Sequence, residues 1–261
     1  MEESDFSCTP KSRILRVINR WLHCYFGLPG VHLITGLSKL FSRKELDYRV
    51  ITTSNSLGLA MSVLGVLGAR FRRHRVYCIF MGLADIYGKC RFGPVLIKFS
   101  LKCGMAELLF LSSAERDWAI ENLEIPDRIH YLPFGVDTQF WNTEQSSVRN
   151  TLAVPREFVF SIGSDPNRDF KLLLRCWDET WPHLLIITSL NLPNIDKKNI
   201  TVICGSVYNK DIGDAEIKWL YQNASFVVLP TTDCWQPSGQ SCLYQAMASG
   251  AVCVAGSNCF G

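Results

Sequence analysis

Ser238, Gly239, Gln240 and Ser241 stand at the entry to a run of good helix formers, between two short apolar stretches. Residues 225–229 (SFVVL) are apolar and β-branched and are closed by Pro230. Residues 242–249 (CLYQAMAS) place Leu243, Ala246 and Met247 at helical spacing, and residues 251–255 (AVCVA) are apolar again. The pattern predicts a strand, a turn-rich loop, a helix ended by Gly250 and a second strand. Such a loop brings unpaired N–H groups to a helix start, where they and the helix dipole favour an anion. Gly239 lets the backbone approach a phosphate closely, and the Ser238 and Ser241 hydroxyls add donors beside the 239–241 N–H groups. Helix N-capping is the competing role for Ser238, and the two are compatible. A helix end alone contributes about 0.3–1 kcal/mol, so an anion also requires charged or hydroxyl partners from elsewhere in the chain.

The elements that must position this loop recur along the sequence. Apolar runs at 48–53, 76–80, 107–112, 130–133, 157–162, 183–188 and 199–204 predict strands. Helical patterns at 31–41, 57–69, 94–103, 113–123 and 214–224 fall between them, with Ser54, Asn55 and Ser56 as a cap for the second. Strands alternating with helices at this spacing predict parallel βαβ units and an α/β fold. Residues 11–26 carry Ile14, Leu15, Val17, Ile18, Trp21 and Leu22 at helical spacing, with Arg13, Arg16 and Arg20 between them. That stretch is either a surface helix with a solvated basic face or one that lies on an anionic membrane surface.

Composition narrows the class. A chain of 261 residues, 48% hydrophobic and 20% charged, is globular and long enough for one large or two small domains. A net charge of only +3 does not by itself point to a nucleic-acid partner, and none is expected. The charge is uneven: 19 Lys+Arg oppose 14 Asp+Glu in residues 1–150, and 8 oppose 10 afterwards, which fits two domains with a basic first half. Arg70, Arg72, Arg73, His74 and Arg75 form a basic cluster within it. The 11 cysteines are odd in number and include no Cys-x-x-Cys pair, which argues against zinc and a disulfide framework and for a reducing cytosol. Glu2, Glu3 and Asp5 do not read as a secretory signal. The apolar run 57–69, with three glycines, falls short of the ~20 residues needed to span a bilayer.

Ala246-Met247-Ala248-Ser249-Gly250, with the apolar strand and Pro230 before it, resembles the donor-binding segment of GT-B-fold glycosyltransferases of the retaining, family 4-like group (glycosyl transferases group 1). That family writes a glutamate directly before Ala-Met-Ala-x-Gly and another eight positions earlier; here Gln245 and Pro237 stand there. The resemblance implies that Gln245 hydrogen-bonds ribose hydroxyls through its amide. It also makes Asp233, the carboxylate in this loop, the candidate for the sugar-hydroxyl contact of the missing glutamate. The run from Gly163 to Lys171 resembles the family's Gly-Arg…Lys-Gly loop, whose cations grip the donor diphosphate. Ser164 stands where arginine is usual, Arg168 where lysine is usual, and Lys171 is a substitute cation. Pairing with Asp165 or Asp169 at a helix start is the alternative role for Arg168.

Gly205, Ser206 and Val207 resemble the loop that abuts the nucleobase, and residues 214–224 resemble the family's Leu-Tyr-x-x-Ala helix. Ser113 to Arg116, Asp127 to His130 and then Pro133-Phe134-Gly135-Val136-Asp137 resemble the end of the family's first domain, with Phe134 in place of asparagine and Asp137 capping or bracing the turn. The opening glycine-rich loop has no counterpart before Tyr48, and the family's His-Gly reads Met81-Gly82.

The resemblance implies an α/β fold of two Rossmann-like domains facing across a cleft. The first, 1–141, lacks its opening β-loop-α; a linker covers 142–155; the nucleotide-sugar-binding second, 156–261, lacks the C-terminal helices. The implied activity moves a hexose-type sugar from a nucleotide diphosphate to a hydroxyl acceptor, glycan or lipid-linked, with retention and without a metal or other cofactor. Arg168 and Asp233 are the implied catalytic residues. Gly163, Ser164, Lys171, Gly205, Ser206, Val207, Ser238, Gly239, Gln240, Ser241 and Gln245 are the implied donor contacts. A cytoplasmic location follows, with peripheral contact at the inner membrane face through the basic first half. The missing glutamates support a second reading, a catalytically impaired homologue that binds nucleotide or scaffolds a partner. A nucleotide-binding α/β module unrelated to sugars is a third.

Overall fold

Why the apolar runs become buried strands is clearest in the second half of the chain. In the computed structural model the described residues are 49–67, 75–89, 93–104, 106–142, 154–193, 196–205 and 212–256. The helical patterns at 11–26 and 31–41, the cluster Arg70 to His74, most of the 142–155 linker, and Ser206 and Val207 lie outside them.

The described residues from 49 to 133 form one compact unit. Its described elements run β1 (Arg49–Thr52), α1 (Asn55–Leu67), β2 (Arg75–Phe80), α2 (Leu83–Lys89), α3 (Gly93–Cys103), β3 (Glu107–Phe110), α4 (Ser113–Leu123), a short 3-10 turn (Pro126–Arg128) and β4 (Ile129–Tyr131). The four strands lie in the order β1-β2-β3-β4, all parallel. Cys78, Phe80, Leu108 and Phe110 meet Leu59, Ile97, Leu101 and Ala119 in the core. Gly58 of α1 lies so near the sheet that a Cβ there would stand 2.8 Å from the Phe80 ring.

The loop after β2 is held by side chains from two helix starts. The Asn55 amide donates to the Met81 carbonyl at 2.6 Å and accepts from the Met81 N–H at 2.9 Å. Glu115, fully buried in the first turn of α4, accepts from the N–H groups of Gly82 (3.0 Å) and Ala84 (3.2 Å). It thereby serves the start of α2, a helix the sequence patterns do not predict. Burial pushes the Glu115 carboxyl up to about 7 against those backbone bonds, which act to lower it. In the unfolded chain the same group titrates near 4.5, so from pH 7 down to 4.5 the folded state takes up a proton that the unfolded state does not. Stability from this group therefore rises as pH falls through that window and is lost as pH climbs back through 7. The full difference is roughly 3 kcal/mol. Denaturant unfolding from pH 4.5 to 7.5 is expected to show this slope in the wild type relative to Glu115→Gln, which removes the titrating group. Parallel curves for the two proteins would refute the assignment.

The described residues from 134 to 256 form the other unit. Its described elements are α5 (Thr138–Trp141), β5 (Phe158–Ile162), α6 (Phe170–Cys176), β6 (His183–Thr188), β7 (Ile200–Cys204), α7 (Asp214–Asn223), β8 (Val227–Leu229), α8 (Gln240–Ala248) and β9 (Cys253–Ala255). The division between Pro133 and Phe134 falls earlier than the end of the first domain expected at 141. The cause is visible in the packing: Trp141 is buried edge-on against Tyr221 at 5.9 Å, and Phe134 stacks on Tyr244 of α8 at 6.2 Å. Asp137 caps α5 as expected, accepting from the N–H groups of Gln139 and Phe140.

The second sheet has the order β7-β6-β5-β8-β9, and every pair is parallel. Phe158, Phe160, Ile162, Leu185 and Ile187 face one core with α7 and α8, while Val159, Leu184 and Ile186 face another with α6. Burial on both faces is what makes β5 and β6 read as unbroken apolar runs. From β5 the chain adds strands outward to β6 and β7, then returns to the other side of β5 for β8 and β9. The reversal creates a topological switch point between β5 and β8, the place where doubly wound sheets hold ligands beyond their carboxyl ends.

Candidate functional site

The loops leaving β5 and β8 carry most of the residues that the sequence singles out. Gly163 follows β5 with φ +148° and donates its N–H to the Ile187 carbonyl at 3.1 Å. The next residues form a tight turn: the Asp165 carboxylate accepts from the Asn167 N–H at 2.8 Å, and its carbonyl accepts from the Arg168 N–H at 3.0 Å. Asp169 then caps α6 by accepting from the Leu172 N–H at 2.9 Å. Both aspartates are thus engaged with backbone N–H groups, and among the described residues Arg168 forms no ion pair with either.

The Arg168 side chain runs back across the switch point. Only 6% of the residue is exposed, and Nε and Nη1 are buried without a hydrogen-bond partner. A Cβ on Gly163 would stand 2.8 Å from Nη2 and 2.9 Å from Cζ; one on Gly239 would stand 2.6 Å from Nη1. The guanidinium is therefore sandwiched between two glycine backbones, one from each loop, and only residues without a side chain leave it room. The buried Tyr221 hydroxyl is pushed well up by burial and by Cys242 beside it, with the Arg168 charge acting in the opposite direction.

Gly239, with φ +97°, is the N-cap of α8, and no side chain caps that end. The helix starts at Gln240, two residues before the apolar pattern begins, so Ser241 lies inside its first turn rather than at its entry. Ser238 is 2% exposed and its hydroxyl has no partner, so it does not cap the helix. A buried cation against the positive end of a helix is an unfavourable pair. An anion between them would reverse the sign of both interactions.

The other predicted residues fall around this point or away from it. Gln240 is buried at the start of α8, Ser241 is exposed, and Gln245 is half-buried on the same helix. Ser164, placed where the family writes arginine, accepts from the Ser189 N–H at 2.9 Å and so ties the end of β5 to the end of β6. Lys171 and Asp233 are exposed, on the first turn of α6 and in the loop after β8. Gly205 is buried after β7, donates to the Thr188 carbonyl at 3.1 Å, and faces Ile187 and Ile212. Two further contributors are Asn167 and Gln236, whose side chains join the two loops. The Asp165-x-Asn167 turn and a glutamine inside a proline-glycine loop were the available signals. Among the described residues no three His, Cys, Asp or Glu side chains stand together as a metal-ligand set. No described helix is long and apolar enough to cross a membrane.

No protein-family model and no curated protein sequence matches the chain. Solved structures do resemble it. Anabaena Alr3699/HepE, crystallised with UDP and glucose, matches at a TM-score of 0.60 and 14% identity, over 87% of this chain and 62% of that one. The same protein crystallised with UDP-glucose gives 0.58 and 14%, over 87% and 63%. Sucrose-phosphate synthase from Thermosynechococcus elongatus gives 0.62 and 15%, over 97% and 64%. This chain therefore spans less than two thirds of the length of these structures. Identities this low speak to the fold, which is that of the GT-B glycosyltransferases with Rossmann-like parallel α/β units.

Proposed function

We propose that this chain is a glycosyltransferase that binds a nucleoside diphosphate sugar and moves a hexose-type sugar to a hydroxyl acceptor, glycan or lipid-linked, with retention, in the manner of the family 4-like group. The observation that carries the proposal is the buried, unpartnered guanidinium of Arg168 facing the uncapped start of α8 at the switch point of the second sheet. A diphosphate satisfies both: one phosphate accepts from the first N–H groups of α8, and the guanidinium lies against the other. Departure of the diphosphate builds negative charge on its terminal oxygen, and donors fixed in advance around that oxygen lower the barrier. That oxygen takes the acceptor hydroxyl's proton as the new glycosidic bond forms on the face the diphosphate leaves. No protein base is required, and the protein's part is positioning and charge compensation. In this reading Ser238 and Ser241 add hydroxyl donors, Lys171 is a second cation, Asp233 and Gln245 meet sugar and ribose hydroxyls, and Gly205, Ser206 and Val207 line the base. No metal or other cofactor enters the proposal. The proposed setting is the cytoplasm, with the basic first half against the inner membrane face.

A specific observation favours the second reading, a homologue that binds nucleotide without turnover: Gln245 and Pro237 stand where the family writes its glutamate pair. Thermal unfolding with UDP and with GDP, followed by an assay for donor hydrolysis, separates the readings. A nucleotide at one hundred times its dissociation constant stabilises the folded chain by about 2.7 kcal/mol. That is a rise of several degrees in midpoint. Stabilisation with hydrolysis supports the transferase, stabilisation without turnover supports the impaired homologue, and no stabilisation by either nucleotide refutes both.

A further inference from the structure

We propose that Gln236 is a positioning residue that sets the distance between Arg168 and the start of α8, a role that rests on the diphosphate reading above. Arg168 and Gly239 come from loops far apart in sequence, and the guanidinium meets Gly239 only if those loops hold a fixed separation. Backbone bonds fix the base of the second loop. Asp169 N–H donates to the Pro230 carbonyl at 3.1 Å, and Thr232 N–H donates to the Asn167 carbonyl at 2.8 Å. Residues 230–232 are thereby anchored, but the chain still has to cross from Thr232 to Gly239.

Gln236 makes the connection nearer the helix. Its Nε2 donates to Asp165 Oδ2 at 3.0 Å, and its Oε1 accepts from Asn167 Nδ2 at 3.4 Å. Its own carbonyl accepts from the Ser238 N–H at 2.6 Å and from the Cys234 thiol at 3.3 Å, in the tight turn that delivers Gly239. One residue thus grips the turn that aims Arg168 through its side chain and shapes the turn that starts α8 through its backbone. The chemistry demands a carboxamide. Asp165 requires a donor and Asn167 offers one, and only an amide both donates and accepts at that length. A glutamate would face the Asp165 carboxylate with like charge and no donor. An alanine would leave both partners without the bond.

The test uses the full chain with UDP as the probe, binding followed by calorimetry, and amide hydrogen exchange at residues 233–243 in the absence of nucleotide. Gln236→Ala is expected to weaken UDP binding about tenfold, the scale of one lost hydrogen bond to a charged group. It is also expected to speed exchange at the start of α8. Gln236→Glu is expected to weaken binding further, and adding Asp165→Asn to it restores the donor and returns affinity to near the wild-type value. A general loss of structure would not be reversed by that second change. Wild-type binding and exchange in Gln236→Ala, or no rescue in the double variant, overturns the proposal. A wild-type chain that binds no UDP refutes the diphosphate reading instead. Exchange then still judges the stitch: faster in Gln236→Ala if Gln236 holds the loop, unchanged if it does not.

Discussion

Arg168→Met is expected to make the nucleotide-free chain more stable and to abolish its response to UDP. The two effects share one cause. The guanidinium is buried, two of its nitrogens have no partner, and it faces the positive end of α8. A buried charge without compensation costs several kcal/mol, and replacing it by an apolar side chain of similar length recovers part of that cost. A gain of about 1–3 kcal/mol is expected, read as a higher midpoint in urea with an unchanged slope. The same change removes the cation from the diphosphate. Charge-assisted hydrogen bonds contribute about 1.5–3 kcal/mol each, so affinity for UDP is expected to fall by tenfold to a hundredfold or more. Greater stability together with lost binding is the signature of a residue kept for its ligand. Destabilisation by Arg168→Met would mean that the guanidinium has a structural role that the geometry does not display.

Gly239→Ala is the second large effect, and its balance runs the other way. At φ +97° an alanine is strained, which costs about 1–2 kcal/mol of stability. Its Cβ would also stand 2.6 Å from Arg168 Nη1, so the guanidinium has to move off the helix start. The loss of UDP affinity is expected to exceed tenfold, because the helix amides and the cation no longer converge on one anion. Placing the substitution in an Arg168→Ala background separates the two causes. Without the long side chain only the backbone strain remains, so Gly239→Ala is expected to cost less stability there than in the wild type, as unfolding in denaturant would show. Equal costs in the two backgrounds would mean that Gly239 and Arg168 do not touch.

The central strands β5 and β6 were legible because burial on both faces leaves little else for such residues to do: His183–Thr188 reads as a strand directly from HLLIIT. The helix ahead of Gly250 was legible too, but its start was not. The predicted run begins at Cys242, whereas the first turn is opened by Gln240 and Ser241, whose reason for being helical is the left-handed Gly239 before them. Helix α2 left no periodic signal because it is short and its start is served by Glu115, more than thirty residues downstream. Loss of a cation at position 164 was plain in the sequence; that Ser164 ties β5 to β6 was not, since the tie runs to a backbone N–H across the sheet. Gln236 was hidden for the same reason. Its partners, Asp165 and Asn167, are about seventy positions away, and no local pattern reports a side-chain bond over that distance. Pairing of Arg168 with Asp165 or Asp169 was reasonable from proximity in sequence. Both carboxylates are instead turned to backbone N–H groups at turn and helix starts, which leaves the guanidinium to the switch point.

The central claim is that Arg168 and the start of α8 hold the two ends of one diphosphate. A crystal structure of the chain with UDP tests it most directly. The diphosphate is expected between Gly163 and Gly239, with a phosphate oxygen within hydrogen-bond distance of the Arg168 guanidinium and another on the first N–H groups of α8. UDP bound elsewhere, or bound there with Arg168 turned away from its phosphates, would contradict it.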